Sequence, residues 1–153
     1  MAKKTIQLKG NGIRNEALAN TSGILPGHLI ELMSTGKIRV HATAGGSAPE
    51  RAFAVEDELQ GGEIDTAYSS GAIVQYNIFN RGDEVYAWLL NGESVVIGDK
   101  LESAGNGELR KVVADTSART VAVQSIIGIA LQAVDMSGSA GVDPTGRIAI
   151  RII

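Results

Sequence analysis

Hydrophobic positions in this chain fall in short runs rich in β-branched and aromatic residues, separated by glycine-bearing turns, and rarely recur at helical spacing. The pattern predicts strands in "GHLIEL" (27–32), "GKIRVHATA" (36–44), "AFAV" (52–55) and "GAIVQYNIF" (71–79). In "DEVYAWLL" (83–90), Val85, Ala87 and Leu89 alternate with Tyr86, Trp88 and Leu90, so both faces are apolar and the strand should lie inside a sheet. Asn91-Gly92 then predicts a hairpin, with residues 95–97 as the returning strand. Near the C-terminus, "VQSIIGIALQAVD" (123–135) reads as a strand in which Gly128 marks a bulge or a close backbone approach, and "GRIAIRII" (146–153) alternates cleanly. Helical signal is confined to "RNEALA" (14–19), which could form a turn or two, and to one turn near residues 56–59.

Together these elements predict a mainly β chain, folded as one compact β-barrel or sandwich-like domain. A length of 153 residues suits a single domain with a sizeable core. That domain is expected over residues 21–153, because residues 1–20 have little apolar content and carry Lys3, Lys4, Lys9 and Arg14, the composition of an extended N-terminal arm. Fourteen basic and 17 acidic residues, net −3 and without long single-sign blocks, argue against nucleic acid as a partner. No run approaches 18 apolar residues and no apolar segment follows the N-terminal lysines, so a soluble protein made in the cytoplasm is expected, with no membrane partner. The absence of cysteine excludes disulfides, thiolate metal sites and cysteine nucleophiles.

Candidate chemistry is sparse. His28 and His41 are the only histidines, and neither has a second histidine at ligand spacing, so no metal site is expected. Glu56, Asp57 and Glu58 are adjacent, which is the pattern of a solvated turn and not of two acids converging across a cleft. There is no G-x-S-x-G elbow, phosphate-binding loop or complete dinucleotide fingerprint. No catalytic residue, cofactor or small-molecule substrate is therefore expected, and the chain does not read as an enzyme. Asn20-Thr21-Ser22 is a formal glycosylation sequon best read as loop. Trp88 reads as core or interface packing. Arg81-Gly82-Asp83 matches an adhesion tripeptide, but the recurring unit is Gly-Asp, at 82–83 and again at 98–99. In each, glycine can redirect the chain and the aspartate can accept from nearby amides before a strand resumes, leaving Val85 and Leu101 to point inward. Gly105-Asn106-Gly107 predicts a further tight reversal.

The order of "GILPGHLIEL", an "AGG" loop, "RAFAVEDELQGGEIDTAYSSGAIV", "RGDEVYAWLLNGESVVIGDKLESAGNGELRKV", "IIGIALQAVD" and "GRIAIRI" resembles the head decoration, or cement, proteins of tailed bacteriophages, from about Gly23 to the C-terminus. The resemblance implies a β-rich protein that binds the outside of an assembled head as homotrimers at three-fold and quasi-three-fold positions. There it would bridge major capsid protein subunits and stabilise the shell against internal DNA pressure. It also implies a capsid-binding role for the N-terminal arm through Lys3, Lys4, Thr5, Ile6, Gln7, Leu8 and Arg14, with residues 5–8 adding a strand to an exposed edge. Another virion module, such as a tail-tube, baseplate or fibre component, is the alternative. An enzyme or sugar-binding module would need a cleft of converging polar groups that this sequence does not advertise.

Overall fold

The computed structural model describes residues 3–113, 125–138 and 146–153. Their strands are β1 (Gln7–Lys9), β2 (Ile13–Leu18), β3 (Ile30–Leu32), β4 (Ile38–Val40), β5 (Ala52–Ala54), β6 (Ile73–Ile78), β7 (Glu84–Trp88), β8 (Ser94–Val95), β9 (Lys100–Ser103), β10 (Leu109–Lys111), β11 (Ile126–Ala130), β12 (Val134–Asp135) and β13 (Arg147–Ile152). A single 3-10 turn, Glu58–Gln60, falls where the sequence suggests one. The chain is mainly β, as expected.

The largest sheet has the order β1-β7-β13-β11-β9-β10, antiparallel throughout. Its register explains the alternation in the sequence. Val85 pairs with Ile150 and Ala87 with Ile148 on the inner face, all fully buried. On the outer face Tyr86 pairs with Ala149 and Trp88 with Arg147. The sheet curls until β10 meets the end of β7 through one parallel bridge, Leu89 to Leu109, with Leu90 N–H donating to Leu109 O at 2.7 Å. That single contact leaves the barrel open, so the fold is a curled sheet with smaller sheets packed around it, not a closed barrel.

A three-stranded sheet, β2-β6-β5, encloses a second core cluster that includes Ile24, Ile30, Ile38 and Val74. The segment around Gly27 joins the two sheets: Gly27 N–H donates to Ala54 O at 2.8 Å, and Gly27 O accepts from Trp88 N–H at 3.1 Å. Gly27 has φ of +95°, and a Cβ there would lie 2.9 Å from Tyr86 O, so only glycine fits this approach. Gly128 meets both expectations placed on it: the β9–β11 register shifts between Ile126 and Gly128, and a Cβ would come within 2.6 Å of Arg151 O.

Several expectations need correction. Residues 14–19 form strand, not helix: β2 pairs with β6 along its whole length, from Ile13 opposite Ile78 to Leu18 opposite Ile73. Asn91-Gly92 does turn, with Glu93 N–H donating to Leu90 O at 3.3 Å, but the chain then leaves for a different sheet, where β8 pairs with β12. Residues 125–135 hold two strands, β11 and β12, in different sheets; positions 123 and 124 of that run lie outside the described residues.

The extended arm is corrected as well; Met1 and Ala2 lie outside the described residues. Ile6 is fully buried in the main core, its carbonyl accepts from Tyr86 N–H at 2.8 Å, and its N–H donates to Glu56 at 3.2 Å. β1 does add to a sheet edge, but the edge belongs to β7 of the same chain. Hydrophobic burial decides this: Ile6 alone contributes about 2 kcal/mol when enclosed, and β2 supplies one wall of the second core through Ala17 and Ala19. Removing residues 2–20 is therefore expected to abolish cooperative folding, read as loss of the urea transition followed by circular dichroism, whereas removing only residues 2–4 should leave the transition midpoint unchanged.

Candidate interaction surface

The two Gly-Asp sites are built alike. Asp83 accepts from Asn80 N–H at 2.8 Å through Oδ2 while its own N–H donates to Asn80 O; Asp99 does the same with Val96, at 3.0 Å. The glycines between them have φ of +98° and +93°. Asp83 is buried beside Gly10, so its carboxylate is occupied with the turn and is not displayed alongside the exposed Arg81. Asp99, half-buried, also contacts Lys111 Nζ at 2.9 Å, and this ammonium, with the Val96 amide, holds its carboxyl below the ordinary value.

Of the residues first associated with capsid binding, Lys3, Lys4, Thr5 and Arg14 are exposed, Gln7 and Leu8 are half-buried, and Ile6 is core. They do not form one site. The Lys3 ammonium lies 5.2 Å from the centre of the Tyr86 ring, and both lysines rim a hollow walled by Glu56, Glu58, Glu63 and Asp65. Thr5 donates to Glu56 at 2.6 Å. Gln7 Oε1 accepts from Asn77 at 2.8 Å. Arg14 stands on the other sheet in a polar row, donating to Gln75 Oε1 at 3.2 Å, while Gln75 Nε2 donates to Glu16 at 3.1 Å.

The most connected polar group is one the sequence reading passed over. Arg147, at the start of β13, is nearly buried. It donates to Asp65 Oδ1 at 2.8 Å, to Pro26 O at 3.1 Å and to Ile64 O, and its guanidinium lies 4.2 Å from the Trp88 ring centre. Trp88 Nε1 donates to the same Pro26 O at 2.9 Å. Trp88 is thus half-buried on the outer face of the sheet, packed against the Arg147 guanidinium. His28 sits against the other side of Trp88, with ring centres 5.9 Å apart, and accepts from Leu25 N–H through Nδ1 at 3.1 Å. Burial, followed by the positive charge of Arg147, pushes its pKa down to about 4.

His41 Nδ1 lies 2.7 Å from Ser103 Oγ, with Glu31 Oε2 3.7 Å from Nε2, an outline of serine, histidine and acid. Ser103 has no solvent exposure, however, and its hydroxyl also accepts from Gly105 N–H at 3.2 Å, so the contact is a structural tie and cannot meet a substrate. No group of three or more potential metal ligands occurs among the described residues. The surface instead offers exposed apolar side chains: Ile13, the cross-strand pair Leu18 and Ile73, Leu59 on the 3-10 turn, Val96 and Ile97 at the second Gly-Asp turn, and Val113.

No protein-family model matches the chain. Comparison with curated proteins gives no match. Among solved structures, the fold is similar to that of the N base of head fiber gp8.5 in bacteriophage phi29, with a TM-score of 0.56 at 11% sequence identity, over 94% of this chain and 95% of that one.

Replacing Arg147 with alanine strands the Ile64 carbonyl, leaves Pro26 O to Trp88 Nε1 alone and uncovers Trp88, and is expected to cost about 3 kcal/mol in urea unfolding. Asp65→Asn, at a side chain 77% exposed, should cost less than about 1 kcal/mol. His28 is held neutral in the fold, so the unfolded chain protonates first. Its contribution is fully present above pH 6.5 and is lost as pH falls toward 4, about 3 kcal/mol in all. Unfolding midpoints measured from pH 7 to pH 4 should show His28→Gln losing that part of the slope.

Proposed function

We propose that this chain is a structural protein of a tailed-bacteriophage head, a decoration or cement protein that binds the outer surface of the assembled shell. The observation that carries the reading is a fold shared, over nearly the whole of both chains, with the base of a phage head fiber. The order of sequence segments that resembles the cement proteins supports it independently. On this reading the chain is not an enzyme, and its partners are the major capsid protein and its own copies, assembled as homotrimers at three-fold and quasi-three-fold positions.

The mechanism is thermodynamic linkage. A protein that binds the intact lattice and not its separated subunits shifts the equilibrium toward the lattice, and many modest contacts on one shell act together. The exposed Lys3, Lys4, Thr5 and Arg14 are available for such contacts, while Ile6, Gln7 and Leu8 hold the N-terminal segment in place. The neighbour's description as a head fiber favours a second reading, in which the domain is the base on which a projecting fibre stands.

The deciding experiment images purified protein bound to expanded empty capsids. Cement function predicts added density above the three-fold positions and shells that survive higher temperature; absence of that density removes the cement reading. Density at fewer sites, carrying a projecting stalk, would select the fibre base. The variant lacking residues 2–4 is expected to fold normally but bind shells more weakly.

A further inference from the structure

The sheet β2-β6-β5 leaves β2 as an edge, and its outer side is open from Ile13 to Ala17. Ala19 N–H donates inward to Ala72 O at 2.8 Å, so the alternation of an antiparallel ladder turns the backbone N–H and C=O of Arg14 and Glu16 outward. Asn20, in the same set, does bond outward, to Ile38 O at 2.8 Å, and the Ala19–Ile38 bridge closes that end of the edge. No lysine, proline, glycine or bulge occurs between Ile13 and Ala17 to block strand addition, and the two charged residues there, Arg14 and Glu16, are of opposite sign. The shorter edge strands β1 and β10, by contrast, carry Lys9 and Lys111. Ile13 is 60% exposed at the end of the open strand.

We propose that two copies of this chain pair through β2, antiparallel across a two-fold axis at Asn15, joining two three-stranded sheets into one of six strands. Charge selects both occupant and register. With Asn15 facing Asn15 of the second copy, Arg14 faces Glu16 and Glu16 faces Arg14, giving two opposite-charge pairs at the outward, hydrogen-bonded positions. Sliding by two residues in either direction sets Arg14 against Arg14 or Glu16 against Glu16, and sliding by one misaligns the outward N–H and C=O groups. On the opposite face, Ile13 meets Ala17 of the second copy on each side of Asn15, which covers the exposed isoleucine. The paired segment is then the same five residues that the intrachain fold leaves open. This contact does not rest on the virion reading; on a shell it would tie neighbouring copies together pairwise.

Sedimentation of the full chain across a concentration series tests the pairing. A reversible dimerisation step is expected, weakened about tenfold by Arg14→Glu or by Glu16→Arg and restored when both are combined, because the double exchange recreates the opposite-charge pairs. The chain has no cysteine, so Asn15→Cys should give a disulfide-linked dimer under mild oxidation, whereas Arg14→Cys and Glu16→Cys should not. A chain that stays monomeric, an assembly indifferent to the charge reversals, or a double variant that is not rescued would overturn the proposal. Preferential crosslinking at 14 or 16 would overturn the register. Each of these results would leave capsid binding to be judged by its own experiment.

Discussion

The fold depends on the last strand of the chain occupying the middle of its largest sheet. β13 is hydrogen-bonded to β7 on one side and β11 on the other, and its inner residues Ile148, Ile150 and Ile152 are almost completely enclosed. Nothing in that sheet can be completed before the C-terminus is in place, and most of its contacts are far apart in sequence. Such a topology adds loop-closure entropy to the cost of folding and leaves one edge each of β7 and β11 open until β13 arrives. Arg147 turns that constraint into a junction. From the first position of β13 it reaches Pro26, Ile64 and Asp65, so the loops around the sheet are tied to the strand that completes it.

The N-terminus is fixed by the same logic. Ile6 fills the core against the curled sheet, and Glu56 accepts from both Thr5 and the Ile6 amide. A segment with the composition of a loose arm is therefore part of the framework. Its charged side chains remain outside, where they are free to meet a partner, but they are spread over two sheets, so recognition by this protein would be distributed over a surface. The buried ties at Arg147, His28 and His41 hold the scaffold beneath those side chains.

The parts of this architecture that were legible in the sequence were local. Apolar residues on both faces of 83–90 marked a strand inside a sheet, and clean alternation marked another in 146–153; these are β7 and β13. The Gly-Asp pairs marked turns, because a left-handed glycine followed by a carboxylate within reach of an amide is a four-residue device. Gly128 was readable because the absence of a side chain inside an apolar strand has few other uses. Residues 14–19 misled, since their alanine, leucine and glutamate suit a helix; pairing with β6 along six residues overrode that weak preference. The Arg147 cluster had no local signal at all, because its hydrogen-bond partners are more than 80 residues away, and an arginine opening a strand reads as surface.

By itself, the sequence determined that the chain would be β-rich and turn-punctuated, without thiol chemistry, and roughly where several of its strands lie, among them β5, β6, β7 and β13. These properties follow from side-chain shape and backbone freedom over a few residues. Only the tertiary structure decided which strands pair, that the curled sheet stays open, that Ile6 is core, and that β2 is left with a bare edge. Those outcomes depend on which distant apolar faces can be buried together, and a linear pattern of residues does not record that competition.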